Sequence, residues 1–392
     1  MVKDDVGLPT AQEISEFRSH ARNWLQQAEI PLLPAEYDER HRVLREWHRA
    51  LYEAGWVGLQ WPSEYGGHDL TIAHQLAFTE ELARAGAPQP VGSIGLEVVG
   101  PTLLRYGTQG QRERFVQPLL AAEELWCQGF SEPGAGSDLA SLRTRGVIGD
   151  DQIIVTGQKV WTSWATYADF CAVLARTDPE APKHKGISYL LVDMRSPGIT
   201  VRPIVQLTGD AEFCEVFFDE VSVPRSNVLG ELHGGWPLVM NTLGHERAEY
   251  AVRRRLENQL SFNQILGALR SHGHQHSDDV AEQIGAVYAH LRGFESLSRQ
   301  TVKRLLAGNI PSPLDSVDKL HLADTEQHLF GVALDLLGPH RMAPSSRPLG
   351  LDAAQVIKSY LYGRAASVYG GTAQIQRSIV GERLLGLPRE AR

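Results

Sequence analysis

Apolar residues recur at spacings of three and four through the first third of the chain. Ile14, Phe17, Ala21, Trp24 and Leu25 share one helical face, and HRVLREWHRALYEAGW repeats the pattern. Breakers at 31–34, 61–67 and 85–90 divide this block into several helices, and Thr108-Gln109 opens another, GQRERFVQPLLAAEEL. Near Trp126 the texture changes. Short β-branched and aromatic runs at 152–156, 170–175, 188–192, 199–205 and 215–218 alternate with Gly and Asp turns. Strand-and-turn chemistry at such short spacing predicts a compact β domain. After Gly234-Gly235-Trp236-Pro237 the helical period returns, with Pro237 suited to a first helical turn. Late breakers are Pro344, Pro348, Gly350 and the pair Gly370-Gly371. The pattern predicts an α+β multidomain chain: a helical domain over 1–125, a central β domain over 126–232 and a helical domain over 233–392.

Composition narrows the class. Of 392 residues, 42% are hydrophobic and 22% charged, an ordinary globular balance with enough apolar material for several cores. Lys plus Arg is 38 and Asp plus Glu is 47, so the net charge is 38 − 47 = −9, which argues against a surface that tracks nucleic-acid phosphates. Cys127, Cys171 and Cys214 are odd in number and far apart, so they predict neither a disulfide framework nor a metal knuckle. A reducing, cytoplasmic setting is expected. The segment MVKDDVGLPT has no apolar stretch of signal-peptide type, and no apolar run approaches membrane-spanning length.

Two segments carry candidate chemistry. QGFSEPGAGSDL, from Gln128, is a Gly-rich polar turn in which small residues let backbone N–H groups approach a ligand, and Ser131 and Ser137 add hydroxyls. GQKVWTSWATYADF, from Gly157, sets Trp161 among polar residues just after a strand. Taken singly, the first segment is equally a structural loop and Trp161 equally a core tryptophan. The pair, in this order and spacing, resembles the acyl-CoA dehydrogenase family. The resemblance extends through Tyr106-Gly107-Thr108, Phe217-Phe218-Asp219-Glu220-Val221, His245-Glu246-Arg247, Tyr369-Gly370-Gly371-Thr372-Ala373-Gln374 and Leu384-Leu385-Gly386-Leu387-Pro388.

The resemblance implies a helical N-terminal domain, a β-barrel-like central domain and a C-terminal four-helix bundle, with FAD between the last two. Phe130 and Ser131 would serve the flavin carbonyls. Gly136, Ser137, Thr372 and Gln374 would be further cofactor contacts, Trp161 would pack on the ring, and Ser163 would donate toward its N5 edge. A donor at N5 stabilises charge that develops as hydride arrives. The expected reaction is removal of two hydrogens across the α and β carbons of an acyl-CoA thioester, with electrons leaving through an electron-transfer flavoprotein.

The chain departs from the family pattern at two places. Many members hold the catalytic glutamate in Tyr-Glu-Gly-Thr, but here Gly370 stands at that position, which keeps only a backbone N–H to polarise the thioester oxygen. Other branches place the base on the first long C-terminal helix, and the matching residue is Glu246, with Arg247 orienting the base or holding substrate. Val239, Thr242, Leu243 and Tyr250 make the face around Glu246 largely apolar. Glu97, in an apolar stretch, is the rival base. The second departure concerns assembly. Arg-x-x-Phe-Gly and Gln-x-x-Gly-Gly, which reach FAD phosphates across subunits in homotetramers, are missing, and the second region reads Asp335-Leu336-Leu337-Gly338-Pro339. The expectation is a tetramer, either of like chains or with a second dehydrogenase-like subunit supplying the better phosphate grip. The open volume at Gly370 and this pairing hint at a bulky or branched acyl group such as a steroid side chain. His272, His274 and His276 are read as a polar loop and not a metal site, and Arg253-Arg254-Arg255 as a solvated or interfacial run. Rival functions are a flavin oxidase or monooxygenase on the same fold, and a non-catalytic partner subunit.

Overall fold

A computed structural model describes residues 9–34, 36–271, 277–307 and 312–389, with the side chains of 244–249 outside the description. By backbone contacts the chain forms two compact units, Met1–Phe78 with Ala87–His245, and Thr79–Gly86 with Glu246–Arg392.

The first unit begins with helices α1 (Ala11–Gln27) and α2 (Tyr37–Glu53). Thr10 starts α1 through a reciprocal capping box with Glu13, and the Glu36 carboxylate accepts from the first turn of α2. Trp24 of α1 lies 6.0 Å from Trp47 of α2 and 5.8 Å from Trp56, which stacks on Phe78 at 4.8 Å. Helices α3 (Ile72–Arg84), α4 (Gly100–Tyr106) and α5 (Gln109–Leu120) follow, and Thr108 caps α5 as its sequence predicts. Buried His48 fastens this block: its Nε2 lies 3.0 Å from the Leu120 carbonyl, and its Nδ1 accepts from the Gly92 N–H at 3.3 Å.

The strands are β1 (Trp126–Gly129), β2 (Arg145–Ile148), β3 (Gln152–Ser163), β4 (Phe170–Arg176), β5 (Ile187–Asp193), β6 (Ile199–Ile204), β7 (Phe213–Pro224) and β8 (Val228–Leu229). They form one sheet in the order β6-β7-β3-β2-β4-β5-β8, with β1 parallel on β4. Not all are as short as expected, because β3 and β7 pair antiparallel over their whole lengths and absorb the mismatch in bulges. Cys127, Cys171 and Cys214 lie in the core of this sheet as free thiols.

Helix α6 (Gly235–Ser271) runs from the first unit into the second. With α7 (Asp278–Leu306), α8 (Asp315–Leu336) and α9 (Ala353–Gly363) it surrounds a core of Phe262, Ile265, Leu291, Leu329, Phe330 and Val356. That is the expected bundle. Acidic residues open α7 and basic residues close it, complementing the helix dipole. The short helix α10 (Ala373–Ile379) comes last. Among the described residues no helix is long and apolar enough to cross a membrane.

Candidate active site

The predicted site residues fall into two groups, one in each unit. In the first unit, β1 delivers the loop that begins at Phe130. The Phe130 ring is buried edge-on against Tyr189, 5.7 Å away, so only its main chain is left for a ligand. Ser131 is half-buried, and neither its N–H nor its hydroxyl has a protein acceptor among the described residues. The loop then closes on itself through paired 3.0 Å bonds between Glu132 and Ala135, which leaves Gly136 and Ser137 exposed.

Strand β3 comes up beside this loop and breaks register with β7 between Lys159 and Thr162. The bulge lets the Val160 N–H donate to the Ser131 carbonyl at 3.0 Å. It also puts Trp161 at φ 59°, with its indole 59% exposed. A bulky residue in left-handed backbone costs on the order of 1–2 kcal/mol and persists where its surroundings over-determine it. Both sequence readings of its setting are therefore corrected: Trp161 sits within the strand and not after it, and it is not core. Phe213 meets the indole edge-on at 6.1 Å. Next to it the buried Thr162 hydroxyl has no partner among the described residues, and half-buried Ser163 ends the strand.

Sequence reasoning missed what lies behind the loop. Lys159 is fully buried (0% exposed) and Glu132 nearly so, and they pair at 2.8 Å. The ammonium also donates to the Phe130 carbonyl at 3.1 Å. The Glu132 carboxylate accepts from the N–H groups of Arg143 (2.7 Å) and Thr144 (2.8 Å). Burial pushes the Glu132 carboxyl up, but Lys159 and these donors outweigh it and hold it below its usual range. Burial lowers the Lys159 ammonium from its ordinary value, against the pull of Glu132. The one sequence signal was a lysine inside the long strand QIIVTGQKVWTS.

In the second unit, α6 carries Glu246 and Arg247, whose side chains lie outside the described residues. One turn on, the Tyr250 hydroxyl donates to the Tyr369 hydroxyl at 2.8 Å. Burial pushes the Tyr250 phenol up to about 12 and raises Tyr369 well above its ordinary value. The Lys319 ammonium lies 3.9 Å from the centre of the Tyr369 ring and donates to the Ala366 carbonyl at 2.8 Å. Tyr369 leads into Gly370 (φ 61°) and Gly371 (φ 90°), a left-handed pair that side chains resist. Buried Gln376 clamps the turn, its Nε2 donating to the Gly370 carbonyl at 2.9 Å and the Gly371 carbonyl at 3.3 Å. Thr372 caps α10 by accepting from the Ile375 N–H, and Gln374 is exposed. The Gly370 N–H has no acceptor among the described residues, so it is available as a donor.

The basic run corrects one half of its expected reading as solvated or interfacial. Arg254 pairs with fully buried Glu326 at 2.7 Å and also with Glu257, Arg253 meets Glu257 at 3.2 Å, and Arg255 lies 3.9 Å from Glu80. The run is thus a half-buried ion network and not a solvated face. In the first unit, Thr242 is buried and bonds the Thr102 hydroxyl at 2.6 Å, so that position is polar but satisfied. Glu97 is half-buried in a wide helical turn, Gly95–Val99. His272, His274 and His276 lie outside the described residues. A cleft of about 540 Å³, lined by Arg114, Phe115, Phe170 and Asn227, contains none of the predicted site residues.

Comparison with known proteins gives the family. The chain matches the acyl-CoA dehydrogenase N-terminal domain over residues 11–123, the middle domain over 127–221 and the C-terminal domain over 233–385. It is 39% identical to acyl-CoA dehydrogenase IpdE1 of Mycobacterium tuberculosis, over 97% of this chain and 100% of that one. Among solved structures it is similar to the Tcur3481-Tcur3483 steroid ACAD, with 31% identity, a TM-score of 0.85, and 98% and 100% of the two chains covered. It is also similar to the ChsE4-ChsE5 complex from Mycobacterium tuberculosis, with 30% identity, a TM-score of 0.82, and 97% and 99% covered. The chain therefore belongs to the acyl-CoA dehydrogenase family and is an FAD-dependent oxidoreductase.

Proposed function

We propose that the chain dehydrogenates an acyl-CoA thioester to the trans-2-enoyl-CoA. Glu246 takes the α proton, and the Gly370 N–H donates to the thioester carbonyl oxygen as enolate character develops. Arg247, next on the helix, orients that carboxylate. FAD, when bound, supplies the acceptor for the hydrogen and electron pair that leave the β carbon. Phe130 and Ser131 through their main chain, with Gly136, Ser137, Trp161, Ser163, Thr372 and Gln374, are the residues that would hold it. The residues of the first unit fit such a group: among the described residues the Ser131 N–H and hydroxyl have no protein acceptor, the buried Thr162 hydroxyl has no partner, and Gly134 and Gly136 have open space around them. The observation that carries the reading is Trp161, an indole 59% exposed at φ 59° on a bulge tied to the Ser131 carbonyl. A globular fold does not keep that arrangement for its own stability.

The finer reading is a heteromeric enzyme for a bulky acyl group. Position 370 has no side chain, and the segment 335–339 offers one glycine and no cation as a phosphate grip. Two similar solved structures are named as two-protein assemblies, one of them a steroid ACAD. A second dehydrogenase-like subunit would supply the phosphate contacts, and an electron-transfer flavoprotein would take the electrons. Domain limits of 1–125, 126–232 and 233–392 belong to the same proposal. The test is anaerobic titration of the flavin-loaded assembly with straight-chain, branched and steroid side-chain acyl-CoA thioesters, read as flavin bleaching. Bleaching by bulky thioesters that is lost in Glu246→Gln is the expected result. Full turnover by Glu246→Gln would remove Glu246 from the mechanism.

A further inference from the structure

Two consecutive residues of β3 hold the loop that follows β1. Lys159 donates to the Phe130 carbonyl at 3.1 Å, and Val160 donates to the Ser131 carbonyl at 3.0 Å. The Phe130–Ser131 peptide is trans, so its C=O and N–H point in opposite directions. With the ammonium on the carbonyl side, the Ser131 N–H points away from Lys159, and it has no acceptor among the described residues. A cation on a carbonyl polarises the peptide and makes its N–H a stronger donor. Glu132 keeps that cation in place while adding the opposite charge, and two main-chain N–H groups fix the carboxylate in turn. Burying two charges for stability alone is a poor arrangement, because an apolar pair of like volume does as well or better.

We propose that the buried Lys159–Glu132 pair is a positioning device for flavin binding, in which the ammonium on the Phe130 carbonyl aims and strengthens the Ser131 N–H as a donor to a flavin pyrimidine carbonyl. Reduction adds negative charge to that side of the ring, so the device favours the reduced cofactor over the oxidised one. Lys159 is a positioning residue that never touches the cofactor. The inference rests on the reading that the loop from Phe130 receives the isoalloxazine.

The test compares wild-type assembly with the double variant Lys159→Met and Glu132→Gln, which removes both charges and keeps an amide oxygen for the Thr144 or Arg143 N–H. Three quantities are measured: thermal unfolding without flavin, the FAD dissociation constant, and the flavin reduction potential by anaerobic dye equilibration. FAD binding at least tenfold weaker is expected, together with a potential that falls. A tenfold preferential loss of the reduced form corresponds to about 30 mV for a two-electron couple. A pair that only scaffolds the loop weakens oxidised and reduced flavin equally, so weaker binding at an unchanged potential overturns the proposal, as does no change in either. If the double variant fails to fold, the wild-type holoenzyme decides the matter. Isotope-edited infrared bands of the bound flavin carbonyls are expected below those of FAD in water, and bands at or above that frequency overturn it. Wild type that binds no FAD would overturn the reading of the loop itself, a failure distinct from wild type that binds FAD with an indifferent Lys159.

Discussion

Gln376→Met isolates the turn that presents the Gly370 N–H. Gln376 is 1% exposed and spends its amide on the Gly370 and Gly371 carbonyls at 2.9 and 3.3 Å. Methionine fills similar space and donates nothing. Each lost bond is worth about 1 kcal/mol, and a carbonyl left unsatisfied costs about 1–3 kcal/mol. Both glycines are only half-buried, so water replaces part of this and the global loss stays near 1–3 kcal/mol. The catalytic effect is larger. Deleting an oxyanion donor outright costs about 100- to 1000-fold in rate. Here the N–H remains but loses its aim, so a fall of about 10- to 100-fold is expected, or roughly 1.4–2.7 kcal/mol. The assay is anaerobic rapid mixing of the flavin-loaded assembly with a thioester. The limiting bleaching rate reports chemistry, its saturation reports binding, and urea unfolding reports stability. Gly371→Ala attacks the same turn from the other side, since its Cβ would stand 2.5 Å from the Gln376 Nε2 at φ +90°. If either variant loses stability while its limiting rate stays within about threefold of wild type, the turn does not present a catalytic donor.

Trp161→Gly relieves φ 59° and removes little buried surface, so flavin-free protein keeps its thermal midpoint while FAD affinity falls at least tenfold; a midpoint several degrees lower would make the indole core after all. Burial lowers His48 to about 4, so the unfolded chain binds the proton more tightly. Stability is therefore full above about 6.5 and declines as pH falls toward 4, by about 3 kcal/mol for this residue. A series of urea midpoints that falls no further in wild type than in His48→Gln would contradict it. Arg254→Met strands Glu326, 0% exposed, and should cost about 3–5 kcal/mol in urea unfolding; a loss under 1 kcal/mol would mean that the carboxylate needs no partner.

The helix–sheet–helix order was readable because periods of 3.6 and 2 are local properties. Thr108 and Glu13 announce their helices within three residues. Bulges are not local. Trp161 occupies a position in β3 where simple alternation gives no warning, and only pairing with β7 shows the slip that turns it outward. Buried charge is equally hard to read. A lysine in a strand or three consecutive arginines on a helix look solvated until their partners are found, and these lie 27 residues away for Lys159–Glu132 and 72 for Arg254–Glu326.

Gly370 shows how a departure from a family pattern becomes informative only with its surroundings. By itself, a glycine where relatives carry the acid is equally the mark of a degenerate site. The turn around it argues otherwise. Its carbonyl and that of Gly371 are held by one buried amide, Tyr369 before it is bonded to Tyr250, and Thr372 after it caps a helix. A decayed site has no reason to keep a left-handed glycine pair under that many constraints, since each ordered contact must overcome the entropy of holding it. What the constraints preserve is the direction of one N–H. On the proposed reading, then, the work that one residue does in much of the family is divided: the turn keeps the donor, and α6, one turn before Tyr250, bears the acid.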